Sequence, residues 1–269
     1  MKKIKVKDVF LFLSEWSPVD LAEAWDHVGL QLGSMQAEVK GVLVSLDVTQ
    51  EVLAEAKRKS CNLLITHHPL ALDKLSRLSP QSIPVRLAKI AHKQKVNILS
   101  FHTNLDSSEE GLNDLLARRL KLPKPQPLIQ SKQVPRSGMG RISTIKAMSY
   151  AQFLKHLAKN LSLKNFRYVG DLKKKIRKVA VVTGSGAGYY LEAKKKDAEV
   201  LVTGDLKYHT ALDALAEKMC IVDIGHFEGE VGMQALVAEK LRSWPSAISG
   251  KLKIYESKVQ KDPFQFWPA

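Results

Sequence analysis

A strand–helix–strand pattern occurs twice in the chain, and this duplication restricts the possible folds more than any other feature. An apolar run that begins at Val42 is followed by a helical stretch over 51–59 and by a second apolar run over 62–66. The same order of segments returns between Val179 and Thr203, and the two stretches align without a gap. Parallel strands need a crossover connection, which is usually a helix. The pattern therefore predicts an α/β fold of two similar lobes, each with a mixed, mostly parallel sheet flanked by helices.

Each half continues with a further helix and a further strand, and a histidine follows the end of that strand. These histidines are His102 in the first half and His226 in the second, and aligning them places Asp106 on Glu230. Right-handed crossovers put the carboxyl ends of parallel strands on one edge of a sheet. Open α/β sheets bind their ligands at that edge, so we expect the functional residues there.

The lobes have predicted boundaries. The proline-rich stretch that begins at Leu122 predicts a linker over 123–140. The first lobe then covers 1–122 and the second covers 141–250. The alternating apolar and polar residues after Gly250 predict an edge strand, so the segment 251–269 is expected to rejoin the first lobe.

Composition excludes several classes of protein. The chain has 269 residues, of which 45% are hydrophobic, and this is typical of a globular protein. Its two cysteines, Cys61 and Cys220, lie in or beside apolar runs, which favours buried thiols over a disulfide framework or a zinc ribbon. The apolar stretch over 9–13 is too short for a signal peptide, and no run approaches a membrane span. We therefore expect a cytoplasmic protein without a membrane partner.

The charge balance is strongly basic, with 42 Lys and Arg against 27 Asp and Glu and a net charge of +15. Such a surface attracts anions, so an anionic small molecule or a nucleotide is a possible partner. Nucleic acid ranks last, because the lysines are dispersed and no aromatic residues alternate with them as they do in single-strand binding proteins. A plain solvated surface is the favoured interpretation of the charge.

The residues that follow the strand ends have the composition of a two-metal site. His67 and His68 directly follow the apolar run that ends at Thr66, and Pro69 then prevents the strand from continuing. Two other strand ends carry a histidine with an acid four residues later: His102 with Asp106, and His226 with Glu230. Imidazole suits zinc, iron, nickel or copper, and a carboxylate adds a hard ligand that balances charge. Neighbouring histidines such as His67 and His68 are expected to serve two different ions.

The chain resembles the Nif-three-like proteins, the GTP cyclohydrolase 1 type 2 homologues, over nearly its whole length. The motifs that carry the resemblance are Trp25-Asp-His-Val-Gly-Leu-Gln-Leu-Gly33, Thr66-His-His-Pro69, His102-Thr-Asn-Leu-Asp106, Thr203-Gly-Asp-Leu-Lys-Tyr-His209, Gly225-His226 with Glu230, and Asp262-Pro-Phe264. The resemblance implies two divalent transition metal ions per chain, zinc or iron before nickel or manganese, in the cleft between the lobes. It also implies a toroidal homohexamer. The metal ligands that it implies are His67, His68, Asp106, His226 and Glu230.

Three functions follow from these features, and the sequence does not separate them. The first is a metal-dependent hydrolase, in which a metal-bridging hydroxide attacks a nucleotide or a cyclic amide. His102 and His209 are then the candidates for proton transfer. For His102, a hydrogen bond to a ligand or a contact with substrate is favoured over a role as a ligand itself. For His209, a plain surface position is the alternative to a place in the cavity. The second is a non-catalytic metal-binding or metal-handling protein that acts through partner proteins. Charge-driven binding of nucleic acid is the third.

The glycine-rich loop from Thr183 to Gly188 links a predicted strand to a predicted helix. Such a loop can present backbone N–H groups to a phosphate. Its spacing matches neither a P-loop nor a dinucleotide-binding fingerprint. A tight turn without a ligand is the favoured interpretation.

Overall fold

The chain folds into two compact units, each built on one β-sheet with helices packed against it. The computed structural model describes residues 3–72, 77–249 and 251–267. One unit comprises Met1–Leu105 and Met233–Lys261, and the other comprises Asp106–Gly232 and Asp262–Ala269. The predicted fold of two α/β lobes is thereby confirmed.

The division between the units falls earlier in the chain than the proline-rich stretch on which the sequence prediction placed it. Helix Leu112–Arg119 contributes Leu116 and Ala117 to the apolar core of the second unit. The segment after it is not a linker, because strand Gln126–Gln130 pairs antiparallel with strand Gly138–Ser149. A helix that buries its apolar face and a strand that completes its hydrogen bonds both belong to the unit that they pack against.

The first unit holds a five-stranded sheet with strand order β1-β4-β3-β2-β11. The strands are β1 (Gly29–Leu32), β2 (Gly41–Ser45), β3 (Leu63–Thr66), β4 (Asn97–Ser100) and β11 (Lys253–Glu256). All its pairs are parallel except that of β1 with β4. The central strands β2, β3 and β4 are buried along their whole length, which explains their continuous apolar runs.

The second unit holds a six-stranded sheet with strand order β5-β6-β8-β9-β10-β7. The strands are β5 (Gln126–Gln130), β6 (Gly138–Ser149), β7 (Arg167–Val169), β8 (Lys175–Val181), β9 (Val200–Thr203) and β10 (Cys220–Asp223). Only β8, β9 and β10 run parallel to one another, so this sheet is less parallel than predicted. The other strands lie outside the repeated pattern and add antiparallel pairs at both sides of the parallel core.

The helices flank these sheets. They are α1 (Val6–Trp16), α2 (Gln50–Arg58), α3 (Ile83–Lys93), α4 (Thr103–Ser107), α5 (Leu112–Arg119), α6 (Tyr150–Leu161), α7 (Tyr190–Lys195), α8 (Tyr208–Ala216), α9 (His226–Glu230), α10 (Met233–Arg242) and α11 (Pro245–Ser249). Side-chain caps define several starts. The Thr49 hydroxyl accepts the Val52 N–H at 3.2 Å at the start of α2, and Ser149 with Gln152 forms a capping box at the start of α6.

The repeated pattern of the sequence corresponds to two equivalent runs of elements. The run β2-α2-β3-α3-β4-α4 in the first half matches the run β8-α7-β9-α8-β10-α9 in the second. In both runs two residues separate the last strand from a short helix. His102 precedes α4 and His226 begins α9, so both histidines lie beyond the carboxyl end of a parallel strand.

A buried arginine joins several loops of the second unit. The Arg141 guanidinium is 1% exposed and forms two parallel bonds of 2.7 Å with the Asp114 carboxylate. Its remaining N–H groups donate to the carbonyls of Gly138, Gly140 and Ser108, each at 2.7 Å. All five donors of the guanidinium are therefore used, which is the condition under which a buried charge is tolerated.

Both thiols are buried, as the composition predicted. Burial raises the pKa of the Cys61 thiol to about 11 and also raises the pKa of Cys220. Only the thiolate reacts with disulfide reagents, so we expect very slow modification of the native protein at pH 8. Ellman's reagent should titrate two thiols at once after denaturation. Rapid reaction of either thiol in the native protein would contradict this burial.

Among the described residues, no helix combines the length and the apolar character that crossing a bilayer requires.

Candidate metal centre

Three imidazoles converge in the first unit. β3 and β4 are parallel neighbours with Thr66 opposite Ser100, so His67, His68 and His102 leave the same edge of the sheet. Their ring centroids are 5.0 to 5.4 Å apart. One nitrogen of each ring lies within 4.8 Å of a nitrogen of the other two, which is close enough for a shared cation.

The same nitrogen of each ring is fixed by a hydrogen bond. The Nδ1–H groups donate to oxygens of the first unit: His67 to the Phe101 carbonyl at 2.9 Å, His68 to Asp47 Oδ1 at 2.7 Å, and His102 to Asp26 Oδ1 at 3.0 Å. With the proton on Nδ1, the basic nitrogen of every ring is Nε2. Histidine ligands in metal sites have this arrangement, in which an outer oxygen sets both the tautomer and the ring orientation.

Asp26 is the most strongly held of these outer acids. Its Oδ1 accepts His102 Nδ1–H and the His27 N–H, and its Oδ2 accepts the Thr103 N–H and hydroxyl. Burial alone would raise its pKa, but the hydrogen bonds from His102 and Thr103 outweigh burial and lower the pKa of Asp26 to about 2. A permanent carboxylate therefore lies behind the His102 ring.

The second unit contributes two buried acids and one imidazole. Carboxylate oxygens of Asp106 and Glu230 lie within 4.8 Å of each other, and His226 Nε2 is 2.9 Å from Glu230 Oε2. His226 Nδ1 bonds Asp205 Oδ2 at 2.7 Å, so the ring of His226, like that of His68, bonds an aspartate through Nδ1. The i, i+4 spacing on α9 brings His226 and Glu230 to one face, as the sequence predicted.

Asp106 is positioned by the strand end of β8. The Thr183 hydroxyl donates to Asp106 Oδ1 at 3.0 Å, and Asn113 Nδ2 donates to the Asp106 carbonyl at 3.1 Å. Asn113 Oδ1 in turn accepts the Thr183 N–H at 3.0 Å. This closed network lies within the second unit and fixes the direction of the Asp106 carboxylate.

The glycine-rich loop supports Glu230. A Cβ at Gly184 would lie 2.0 Å from Glu230 Oε1 and 3.4 Å from His226 Nε2, and Gly184 has φ +60. The Gly184 carbonyl accepts the Gly204 N–H at 2.9 Å. These contacts favour the tight-turn interpretation, because the loop makes room for the acid.

We expect Gly184→Ala to lose metal. The added methyl group would displace the Glu230 carboxylate, and an αL backbone also disfavours alanine. Metal content per chain should fall well below that of the unaltered protein while the circular dichroism spectrum is retained. Gly188→Ala is the matched control, because nothing lies within 4 Å of a Cβ at Gly188. Full metal content in Gly184→Ala would show that the loop does not position the acid.

The donor types of both sets fit divalent transition metals. Nε2 of neutral imidazole suits zinc, iron or nickel, and buried carboxylates supply the negative charge that imidazoles lack. His226 has a carboxylate beside each ring nitrogen. A cation between Nε2 and Glu230 would take the place of the proton that a hydrogen bond between these two groups requires. The buried His, Asp and Glu clusters could therefore hold a metal ion.

The other predicted site residue lies elsewhere. His209 is on the exposed helix α8, where its ring meets that of Tyr208 at a centroid distance of 5.4 Å. Within the described ranges it joins none of the clusters of potential metal ligands.

Sequence reasoning missed the three outer acids Asp26, Asp47 and Asp205. The repeat contained a signal for one of them, since the gapless alignment of the halves pairs His68 with Asp205. Asp47 follows the end of β2, but acids after strands are common in turns and carry no metal signal of their own.

Comparison with known proteins identifies the family of this chain. The family model described as Duf34/NIF3 (NGG1p interacting factor 3) matches residues 4–263. A Clostridium perfringens protein named GTP cyclohydrolase 1 type 2 homolog is 35% identical over 264 residues, covering 98% of this chain and 100% of that protein.

Solved structures are similar along the whole chain. The crystal structure of Staphylococcus aureus protein SA1388 has a TM-score of 0.89 and 28% identity, covering 98% of this chain and 99% of that one. A Bacillus cereus protein related to NIF3 has a TM-score of 0.88 and 27% identity, covering 99% and 100%. From its sequence and its fold, the chain belongs to the Duf34/NIF3 family.

Proposed function

We propose that the imidazoles of the first unit and the acids of the second hold two divalent transition metal ions in one dinuclear centre. The ligands are His67, His68, Asp106, His226 and Glu230. The observation that carries the proposal is the pair of Nδ1–H bonds that fix the tautomers of His67 and His68, together with two buried carboxylates within 4.8 Å of each other. Neutral imidazoles alone would not balance the charge of two divalent ions, whereas the acids would.

Chain connectivity supports a shared centre. His102 immediately precedes α4, and Asp106 lies within it, so one short helix connects the imidazole set to the acid set. A substitution in the imidazole set should therefore change the amount of metal bound by the acid set, and the reverse should also hold. Zinc and iron are the first candidates, with nickel or manganese as alternatives.

We further propose that the centre hydrolyses a cyclic amide or a nucleotide, in keeping with the name GTP cyclohydrolase 1 type 2 homolog that the relatives carry. Two bound ions would lower the pKa of a water molecule and polarise the group under attack. His102 accepts and returns a proton at Nε2, because Asp26 holds its Nδ1–H at 3.0 Å. Asp26 keeps the ring oriented and stabilises it when it is charged. The basic surface favours capture of an anionic substrate.

The test is a substrate screen on protein reconstituted with zinc, iron, nickel or manganese under anaerobic conditions. GTP, other nucleotides and cyclic amides are the substrates, and ring opening is followed by ultraviolet absorbance and mass spectrometry. We expect turnover that falls by about 10² to 10⁴ in His102→Gln with metal content retained. His209→Gln is the matched control and should keep its activity. Equal turnover in both variants would exclude His102 from proton transfer.

A non-catalytic role in metal handling is the second candidate. Its support is the exposure of two outer partners, because Asp47, which bonds His68, and Asp205, which bonds His226, are each 44% exposed. Exposure of these partners allows a bound ion to exchange. No turnover in the screen, combined with rapid transfer of zinc to a competing chelator, would favour this function over hydrolysis.

We also propose that six chains assemble into the toroidal homohexamer that the family resemblance implies. Light scattering coupled to size-exclusion chromatography should then report the mass of six chains. A monomer at micromolar concentration would contradict the assembly.

A further inference from the structure

A glutamine from the C-terminal segment of the first unit lies at the carboxyl end of β2. β11 pairs parallel with β2, and the Ser257 N–H continues this pairing by donating to the Val44 carbonyl at 2.8 Å. Three residues later, Gln260 Oε1 accepts the N–H groups of Leu46 and Asp47, the second at 3.3 Å. The turn after β2 is therefore held by a side chain that lies more than 200 residues further along the chain.

The hydrogen bonds around the Gln260 amide fix its orientation. Besides the two backbone N–H groups, the Gln234 side chain on α10 donates from Nε2 to Gln260 Oε1 at 3.4 Å. Three N–H donors face this atom, which identifies it as the oxygen of the amide. The Nε2 group of Gln260 donates to Asp47 Oδ2 at 3.3 Å. One side chain thus binds both the backbone and the carboxylate of the same turn.

The Asp47 carboxylate connects Gln260 to a histidine of the imidazole cluster. Its Oδ2 accepts the Gln260 amide, and its Oδ1 accepts the His68 Nδ1–H at 2.7 Å. The Asp47 side chain is 44% exposed, so packing alone does not fix its direction. The acid behind His102 differs in this respect, because Asp26 is buried and receives four hydrogen bonds. The direction of Asp47 therefore depends on Gln260.

The backbone of the turn provides a second connection to the cluster. The Leu46 carbonyl accepts the N–H groups of His67 and His68 at 3.1 and 3.0 Å, and its own N–H donates to Gln260. A displacement of Leu46 would therefore move the backbone of both histidines. Functional side chains must be held to within about 0.5 Å of their productive geometry, which requires such support from behind.

We propose that Gln260 is a positioning residue for the metal centre, which acts through Asp47 and Leu46 to hold the His68 ring with Nε2 towards a bound ion. The inference rests on the proposed function, in which His68 is a ligand. The loss of an outer partner of a histidine ligand typically weakens metal affinity about 10- to 100-fold. Because Gln260 lies one hydrogen bond beyond Asp47, its loss should weaken affinity about tenfold, at the lower end of this range.

Gln260→Met tests this role, because methionine is similar in length to glutamine and lacks both groups of the amide. Competition with a chelator should show that the zinc affinity of the full chain falls about tenfold. Gln265→Met is the matched control and should keep the affinity, since Gln265 is exposed. Ser257→Ala should also keep it, because this change removes a bond of 2.7 Å to Glu55 that does not involve Asp47.

Two outcomes of this comparison would overturn the inference. One is a zinc affinity of Gln260→Met equal to that of the unaltered chain. The other is an equal loss of affinity in Gln260→Met and Ser257→Ala, which would show that any loosening of the C-terminal segment has the same effect.

A reciprocal exchange separates positioning from a general effect on stability. Asp47→Asn combined with Gln260→Glu exchanges the amide and the carboxylate, so that an amide N–H again donates to a carboxylate and the net charge is unchanged. The oxygen of the introduced amide can still accept the His68 Nδ1–H. The double variant should bind zinc at least about threefold more tightly than Asp47→Asn alone. Absence of any recovery would contradict a direct interaction between the two side chains.

Crystal structures of the metal-free protein distinguish this inference from the proposed function. In Gln260→Met, the Asp47 carboxylate should turn away from His68, and the bond of 2.7 Å should be lost. If the unaltered chain binds no metal but this change occurs, the proposed function fails and the role of Gln260 in orienting the ring holds. If the chain binds two ions, and both their affinity and the Asp47–His68 bond are unchanged in Gln260→Met, the inference fails alone.

Discussion

His68→Ala is expected to lose most of the metal that the unaltered chain retains, and to lose turnover with it. The His68 ring presents Nε2 because Asp47 holds its Nδ1–H at 2.7 Å, and alanine removes this donor without disturbing the strand. In the proposed dinuclear centre, the loss of one ligand would also weaken the binding of the second ion. Elemental analysis of anaerobically purified protein measures the effect directly.

Two further variants define the size of this effect. His92→Ala changes an exposed histidine on α3 and should keep full metal content. Asp47→Asn alters only the outer partner, and such changes typically weaken metal affinity about 10- to 100-fold. Retention of two ions by His68→Ala would remove this residue from the centre.

Arg141→Met is expected to lower the free energy of unfolding by about 3–5 kcal/mol, because it leaves the Asp114 carboxylate without its buried partner. The same change removes the donors to Ser108, Gly138 and Gly140, so several carbonyls of the second unit lose their bonds. Chemical denaturation followed by circular dichroism gives the value. Metal content is measured in parallel, since Ser108 is close in sequence to Asp106.

The control for this prediction is Arg136→Met. Arg136 pairs with Glu109 at the surface and is 80% exposed, so its loss should cost less than about 1 kcal/mol. Similar small losses in both variants would mean that the Arg141 network adds little to the stability of the second unit.

Periodicity and repeats were sufficient to predict the fold class and the succession of central strands and helices along the chain. Continuous apolar runs identify buried parallel strands such as β3 and β9, and the duplication shows that two sheets exist. The division at Leu105 could not be predicted, because it depends on long-range packing. The apolar face of α5 has the same pattern whichever unit it joins, and only the packed core assigns it to the second.

The candidate metal ligands were recognisable because histidines and acids after strand ends are rare in combination. The outer acids were not recognisable in the same way, because a hydrogen bond such as the one from His102 to Asp26 joins residues that are 76 positions apart in the chain. Gly184 was seen only as part of a glycine-rich loop. Its role beside Glu230 depends on the space that a side chain would fill. The residues that occupy this space are distant in the sequence, so the local sequence does not reveal it.

Anomalous scattering from crystals grown with zinc or iron would locate the bound ions and their ligands. We expect two peaks per chain about 3.5–4 Å apart, with His67, His68, Asp106, His226 and Glu230 as the protein ligands. A single peak, or ions bound at sites that share none of these side chains, would contradict the proposed dinuclear centre.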